Sequence, residues 1–257
     1  MKKLLALVLV FIMALSFVAC SAETTDSAYV TEKGTLVVGI TDFAPMDYKD
    51  DNGNWIGFDA DMATAFAESL GVKVKFVEID WDNKALELDG KSIDCVWNGM
   101  TLTDEVKAAM ECSDAYCNNQ QIVIVPKDKA DKYNTVEACK ELSFAVEAGS
   151  AGKDMAEQSG FNFTEVKDQA SALMEVAAGT CDAAVIDSLM AAAMVGEGTG
   201  YENLTYTVGL NSEEYGVGFR KGSDLAEKLN AFFSESKENG TLQQTAEKYK
   251  VQAALIK

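Results

Sequence analysis

The chain of 257 residues contains no histidine. This removes Ser-His and Cys-His nucleophile pairs, histidine acid-base chemistry and every histidine-ligated metal site. It has one arginine, Arg220, and two prolines. Basic charge is scarce: 22 lysine and arginine residues stand against 41 acidic ones, for a formal charge of −19. Nucleic acid is therefore not expected as a partner, because a phosphate backbone demands a basic surface. No CxxC pair offers a zinc framework, and the carboxylates lack the spacing of a calcium loop. No cofactor is implied. With 48% hydrophobic residues the chain can build real cores, and its length suits two compact units.

The N-terminus reads Met1-Lys2-Lys3, an apolar run from Leu4 to Leu15, then Ser16-Phe17-Val18-Ala19-Cys20. A short basic start, an apolar stretch and a small residue before a cut describe an export signal over residues 1–19. The run is short for a transmembrane helix. A cysteine directly after Ala19 resembles the lipoprotein signal, in which Cys20 is lipidated. Residues 20–33 are polar and read as a tether between the membrane and a folded body. Five more cysteines follow. Cys95 and Cys181 lie in apolar runs that read as buried strands. Cys112 and Cys117 are close enough in sequence to bridge, and an odd count closes no complete disulfide framework.

The body alternates strands and helices. Leu36–Ile40, Val72–Ile79, Ile93–Trp97 and Ile122–Val125 read as strands. Asp59–Leu70, Asn83–Leu88 and Thr103–Met110 read as helices, the last with Thr103 as N-cap. The pattern restarts with strands at Leu142–Val146, Phe163–Val166 and Ala183–Ile186. Helices follow Gly149-Ser150-Ala151-Gly152, span Gln169–Ala178 and Ser188–Val195, and close the chain at Leu225–Ser234 and Thr241–Tyr249. Such alternation predicts an α/β protein with mostly parallel sheets, in two groups parted near Pro126. Ligands in this architecture sit at the C-terminal ends of strands, here in a cleft between lobes.

Seven segments carry a resemblance to a known family. They are Leu36-Val37-Val38-Gly39 with Ala44-Pro45-Met46; Ile56-Gly57-Phe58-Asp59-Ala60-Asp61-Met62; Lys91-Ser92-Ile93-Asp94 with Gly99-Met100-Thr101-Leu102-Thr103; and Ser113-Asp114-Ala115-Tyr116. In the second half they are Val146-Glu147-Ala148-Gly149-Ser150-Ala151-Gly152; Cys181-Asp182-Ala183-Ala184-Val185-Ile186-Asp187; and Tyr215-Gly216-Val217-Gly218-Phe219-Arg220-Lys221-Gly222. In this order the chain resembles the extracytoplasmic solute-binding proteins of polar amino-acid ABC importers. The resemblance implies a two-lobed periplasmic-binding-protein-like (type II) fold with the ligand cleft between lobes. Lobe 1 would comprise 34–124 plus 219–257 and lobe 2 would comprise 125–218. The crossings would lie near Ile122–Pro126 and Tyr215–Arg220. The implied partners are an amino acid or related amine, an ABC permease with its ATPase subunits, and the membrane through the lipid anchor.

The same resemblance places a pocket. Phe43 and Trp81 would sandwich the ligand side chain, with Asp42 beside them. Asn98, Gly99, Thr101 and Thr103 would hold the head group, although Thr103 also reads as a helix cap. Ser150 and Ala151, at the start of a helix, would meet a carboxylate. Asp187 would accept an ammonium group, and Glu147 would face the ligand or else solvent. Trp97 reads as core. One departure stands out. Val106 occupies the position where the family commonly carries an arginine that clamps a carboxylate with two parallel hydrogen bonds. Lys107 lies about 100° around the helix from it, which leaves Lys84, Ser150, Thr101 and backbone N–H groups for that task. The acidic pocket without that arginine predicts a basic amino acid, or alternatively a cationic amine that lacks an α-carboxylate. The competing class is a dehydratase-type enzyme on the same fold, with Asp42, Glu147 or Asp187 as acid or base.

Overall fold

The structure, a computed structural model, describes residues 24–256. The expected signal segment and Cys20 lie outside the described residues. Part of the expected tether is folded: Asp26–Lys33 is a helix whose N-cap Thr25 accepts the Ala28 N–H. Charge docks it. Asp26 pairs with Arg220 at 3.0 Å and Lys33 with Asp94 at 2.6 Å, while Val30 is fully buried.

The first sheet begins with β1 (Thr35–Ile40). The short hairpin β2 (Tyr48–Lys49) and β3 (Trp55–Ile56) stands apart from it. The sheet continues with β4 (Lys73–Glu78), β5 (Cys95–Thr101), β6 (Glu111–Cys112) and β7 (Cys117–Asn119). β1 pairs in parallel with both β4 and β5. Every residue of β5 but the last is buried, because helices cover both faces of the sheet there. On one face Trp97 packs against Phe66 and Phe233; on the other, Val96 and Met100 join Ile79, Trp81 and Val106.

The second sheet holds β8 (Gln121–Pro126), β9 (Ser143–Glu147), β10 (Asn162–Val166), β11 (Ala183–Asp187) and β12 (Leu204–Gly209), in the order β10-β9-β11-β8-β12. β9, β10 and β11 are parallel, whereas β8 runs antiparallel to β11 and β12. The chain then returns in β13 (Glu213–Phe219), which pairs antiparallel with β5, β6 and β7. Both sheets are thus mixed rather than mostly parallel. The crossings also differ from expectation. The apolar run of β8 is paired along its length inside the second sheet, so the outward crossing falls at Gln120, before Ile122–Pro126. β13 lies in the first sheet, so the return falls at 210–212, before Tyr215–Arg220.

Helices Leu225–Glu238 and Thr241–Lys248 finish on the first sheet's side, where Phe232 meets Phe66 and Lys248 pairs with Asp61. The five described cysteines are free thiols. Cys112 and Cys117 sit on separate strands that each pair with β13. Cys181 is half-buried in the turn before β11, not within a strand as expected.

Candidate functional site

The two sheets point the C-terminal ends of β5, β9 and β11 at one another across a cavity of about 250 Å3. Phe43, Trp81, Asn98, Gly99, Thr101, Thr103, Glu147, Ser150, Ala151 and Asp187 line it together. Asp42 does not line it. Neighbouring residues of an extended segment face opposite ways, and with Phe43 turned inward Asp42 is exposed. Its carboxyl is pushed up by partial burial, then by Asp168 and Glu78.

The first lobe contributes apolar faces. Phe43 lies against Gly99, where a Cβ would come within 2.4 Å of the ring, and at φ +53° only glycine is comfortable. Trp81 begins a single helical turn and carries the Lys84 ammonium 5.0 Å from its ring centroid. Val106, buried, adds an aliphatic patch beside Met100, Ala109 and Met110. Lys107 is exposed, and Arg220 is engaged with Asp26 and Asp94.

Several hydroxyl and amide groups expected to hold the ligand are committed within the protein. Asn98 Oδ1 accepts from the Thr41 N–H and hydroxyl, and its Nδ2 donates to Thr41 O and Asp47. The Thr101 hydroxyl donates to Glu213 at 3.0 Å. Thr103 accepts the Val106 N–H, so its helix-cap reading holds in the structure. Ser150 accepts the Lys153 N–H and donates to Glu147 O at 2.8 Å. Ala151 opens the helix Ala151–Ser159, whose first N–H groups have no carbonyl one turn back.

The second lobe contributes acids. Asp187 closes β11 and accepts hydrogen bonds from Asn119, Gln121, Gln169 and the Tyr215 hydroxyl. Burial, then Glu213, pushes its carboxyl up to about 8. Glu147 ends β9 and is 3% exposed, which excludes the solvent-facing alternative. Among the described residues its Oε1 has no hydrogen-bond partner. Burial, then Asp187 and Asp168, raises it to about 8, and Lys84 opposes the rise. Lys84 itself is lowered by burial and donates to Trp81 O at 3.2 Å and Gly149 O at 2.9 Å.

Gln121, Gln169, Tyr215, Asn119 and Glu213 are missing from the sequence reading of the site. Glu213 binds Asn119, Gln121, Thr101 and Asn211 at the two crossings. The signal was the polar run Asn118–Gln121 directly before an apolar strand, where solvated loop and buried network look alike in sequence. The lobes are closed on one another. Lys84 reaches Gly149 across the cleft, Lys167 pairs with Glu78, and a Cβ on Gly149 would lie 2.6 Å from Asp82 Cα.

Comparison with known proteins agrees with this architecture. The bacterial extracellular solute-binding proteins, family 3, match residues 36–252. The arginine-binding extracellular protein ArtP of Bacillus subtilis (strain 168) is 28% identical over 97% of this chain and 98% of its own length. A mutant of ArgBP from T. maritima superposes with a TM-score of 0.82 at 33% identity, covering 87% of this chain and 98% of that one. An ancestral amino acid-binding protein, described as a precursor of cyclohexadienyl dehydratase, gives 0.79 at 33% identity, with 87% and 98% covered. These relatives are two-lobed amino-acid-binding proteins, and the chain belongs to the bacterial extracellular solute-binding proteins, family 3.

Proposed function

We propose that this protein is the capturing component of an ABC importer, anchored outside the membrane through Cys20. It closes its lobes on a positively charged amino acid or related amine and delivers it to a permease. The observation that carries this reading is the pair of buried carboxyl groups, Glu147 and Asp187, in the wall of one closed cavity. Burying a carboxylate is costly unless a cation meets it. Trp81 adds a flat π face suited to a cation. The hinge is inferred to lie at the two crossings, where Glu213 ties both strands of chain together.

We read the protein as a binder rather than an enzyme. The arginine-binding relative supports this, as does a chain without histidine. The test is a thermal-shift series on protein freed of carried-over ligand by unfolding and refolding. Cationic amino acids and their amines should raise Tm, and acidic amino acids should not. At about 100 times its dissociation constant a ligand adds about 2.7 kcal/mol. No response to any organic cation would sink the reading. Consumption of a bound ligand, followed by product analysis at fixed protein, would favour the enzyme.

A further inference from the structure

A ligand must complement what the cavity leaves unfinished. Two side-chain acceptors in its wall are buried and have no donor: Glu147 Oε1 and Gln121 Oε1, on residues 3% and 1% exposed. The Gln121 amide cannot turn to offer a donor instead. Its Nε2 already donates to Asp187 at 2.9 Å and to Glu213 at 2.8 Å, and a flip would set a carbonyl against two carboxylates. Ionised, as a bound cation favours, Glu147 calls for N–H groups, and the Gln121 carbonyl does so at any pH.

The anion side is different. Asp82, Glu105, Glu147, Asp154 and Asp187 line the cavity against two lysines, Lys84 and Lys153. Lys153 is paired with Glu165 at 3.0 Å. Lys84 is held by two carbonyl oxygens and already faces Glu147, Asp82, Glu105 and Asp154. The helix that opens at Ala151 carries Asp154 in its own first turn, so an acid of the chain already sits at its positive end. Val106 offers no donor. The hydroxyls of Thr101 and Ser150 donate elsewhere.

We propose that the cleft takes an organic cation with no free carboxylate, an α,ω-diamine or a guanidinoalkylamine, in preference to the corresponding α-amino acid. One nitrogen group meets Glu147 and the Gln121 carbonyl, and the other end lies toward Asp187, with the carbon chain against Phe43 and Trp81. A carboxylate on the same ligand would lie among Asp82, Glu105 and Asp154, with no uncommitted cation in the cavity wall to receive it. This rests on the reading of the cavity as a cation site.

The experiment is calorimetric titration of the refolded protein with matched pairs: arginine and agmatine, lysine and cadaverine, ornithine and putrescine. For the pair that fits, the amine should bind at least about tenfold tighter than its amino acid. Glu147→Gln should weaken that amine by about tenfold or more while the melting temperature confirms folding. An amino acid that binds as tightly as its amine, or tighter, would overturn the proposal yet leave the cation site standing. Silence from all six compounds would overturn both. A Glu147→Gln variant that keeps full amine affinity would also overturn it.

Discussion

The two walls of the cleft differ in kind. The first lobe presents the apolar area of Phe43, Trp81, Met100, Val106 and Met110, with Asp82, Lys84 and Glu105 around it; the second presents the buried acids Glu147 and Asp187 beside the Gln169 amide, with little apolar area. Neither wall alone is a good cation site. An acid open to water is screened, and an aromatic face open to water binds cations weakly. Closure places the acids against a dry surface, where the same charges act over a lower effective dielectric. Selectivity is then written in one lobe and amplified by the other.

The largest break in this comparison is Asp187→Ala. It removes an acceptor shared by four side chains as well as one of the two buried acids proposed to face the ligand. Cation affinity should fall by about 3–5 kcal/mol, since the ligand's charge would be left unpaired; unchanged affinity in calorimetry would remove Asp187 from the site.

Next comes pH. Glu147 and Asp187 sit at about 8 in the free protein. A bound cation favours their ionised forms, so binding below pH 8 expels protons. Affinity should rise with pH from the ordinary carboxylate range toward 8 by up to about tenfold per unit for each proton released, then level off. Free-protein stability should run the other way. The folded state keeps protons that the unfolded chain has already shed, so stability declines as pH climbs across that window and is flat above it. Titration and melting in parallel buffers would check both slopes, and an affinity independent of pH would contradict the acidic wall.

Trp81→Ala tests the opposite wall. The expected loss is about 1–2 kcal/mol of affinity from the π face, with the pH slope retained because the acids are untouched. The smallest effect should come from Val106→Met. It lengthens an apolar side chain within an apolar wall, and should change affinity by less than about 1.5 kcal/mol; a larger change would place Val106 in direct contact with the charged end of the ligand.

Much of the architecture was legible, because alternating apolar runs and helix caps are local. Thr103 caps its helix as expected, and Ser150, at an expected helix start, is also an N-cap. The helix Asp26–Lys33 was not legible, since one buried valine makes no stripe and its docking rests on Arg220 and Asp94, far along the chain. The edge strand β12 was missed because its burial alternates only weakly. In the site, the family's order of segments carries the expectation of both acids, and Glu147 and Asp187 line the cavity. The network that Asn119, Gln121, Gln169, Glu213 and Tyr215 build around Asp187 forms only once four separate segments converge, and no spacing announces that. Asp42 and Phe43 show the finest limit: a single step of alternation decides which of the two faces the cavity.

The contacts across the cleft also bear on time. Lys84 to Gly149 is shielded, while the side chains of Lys167 and Glu78 are 54% and 33% exposed. Both must break before a trapped solute can leave, and dissolved salt weakens only the outer one appreciably. External ionic strength should therefore shorten the dwell of a captured molecule.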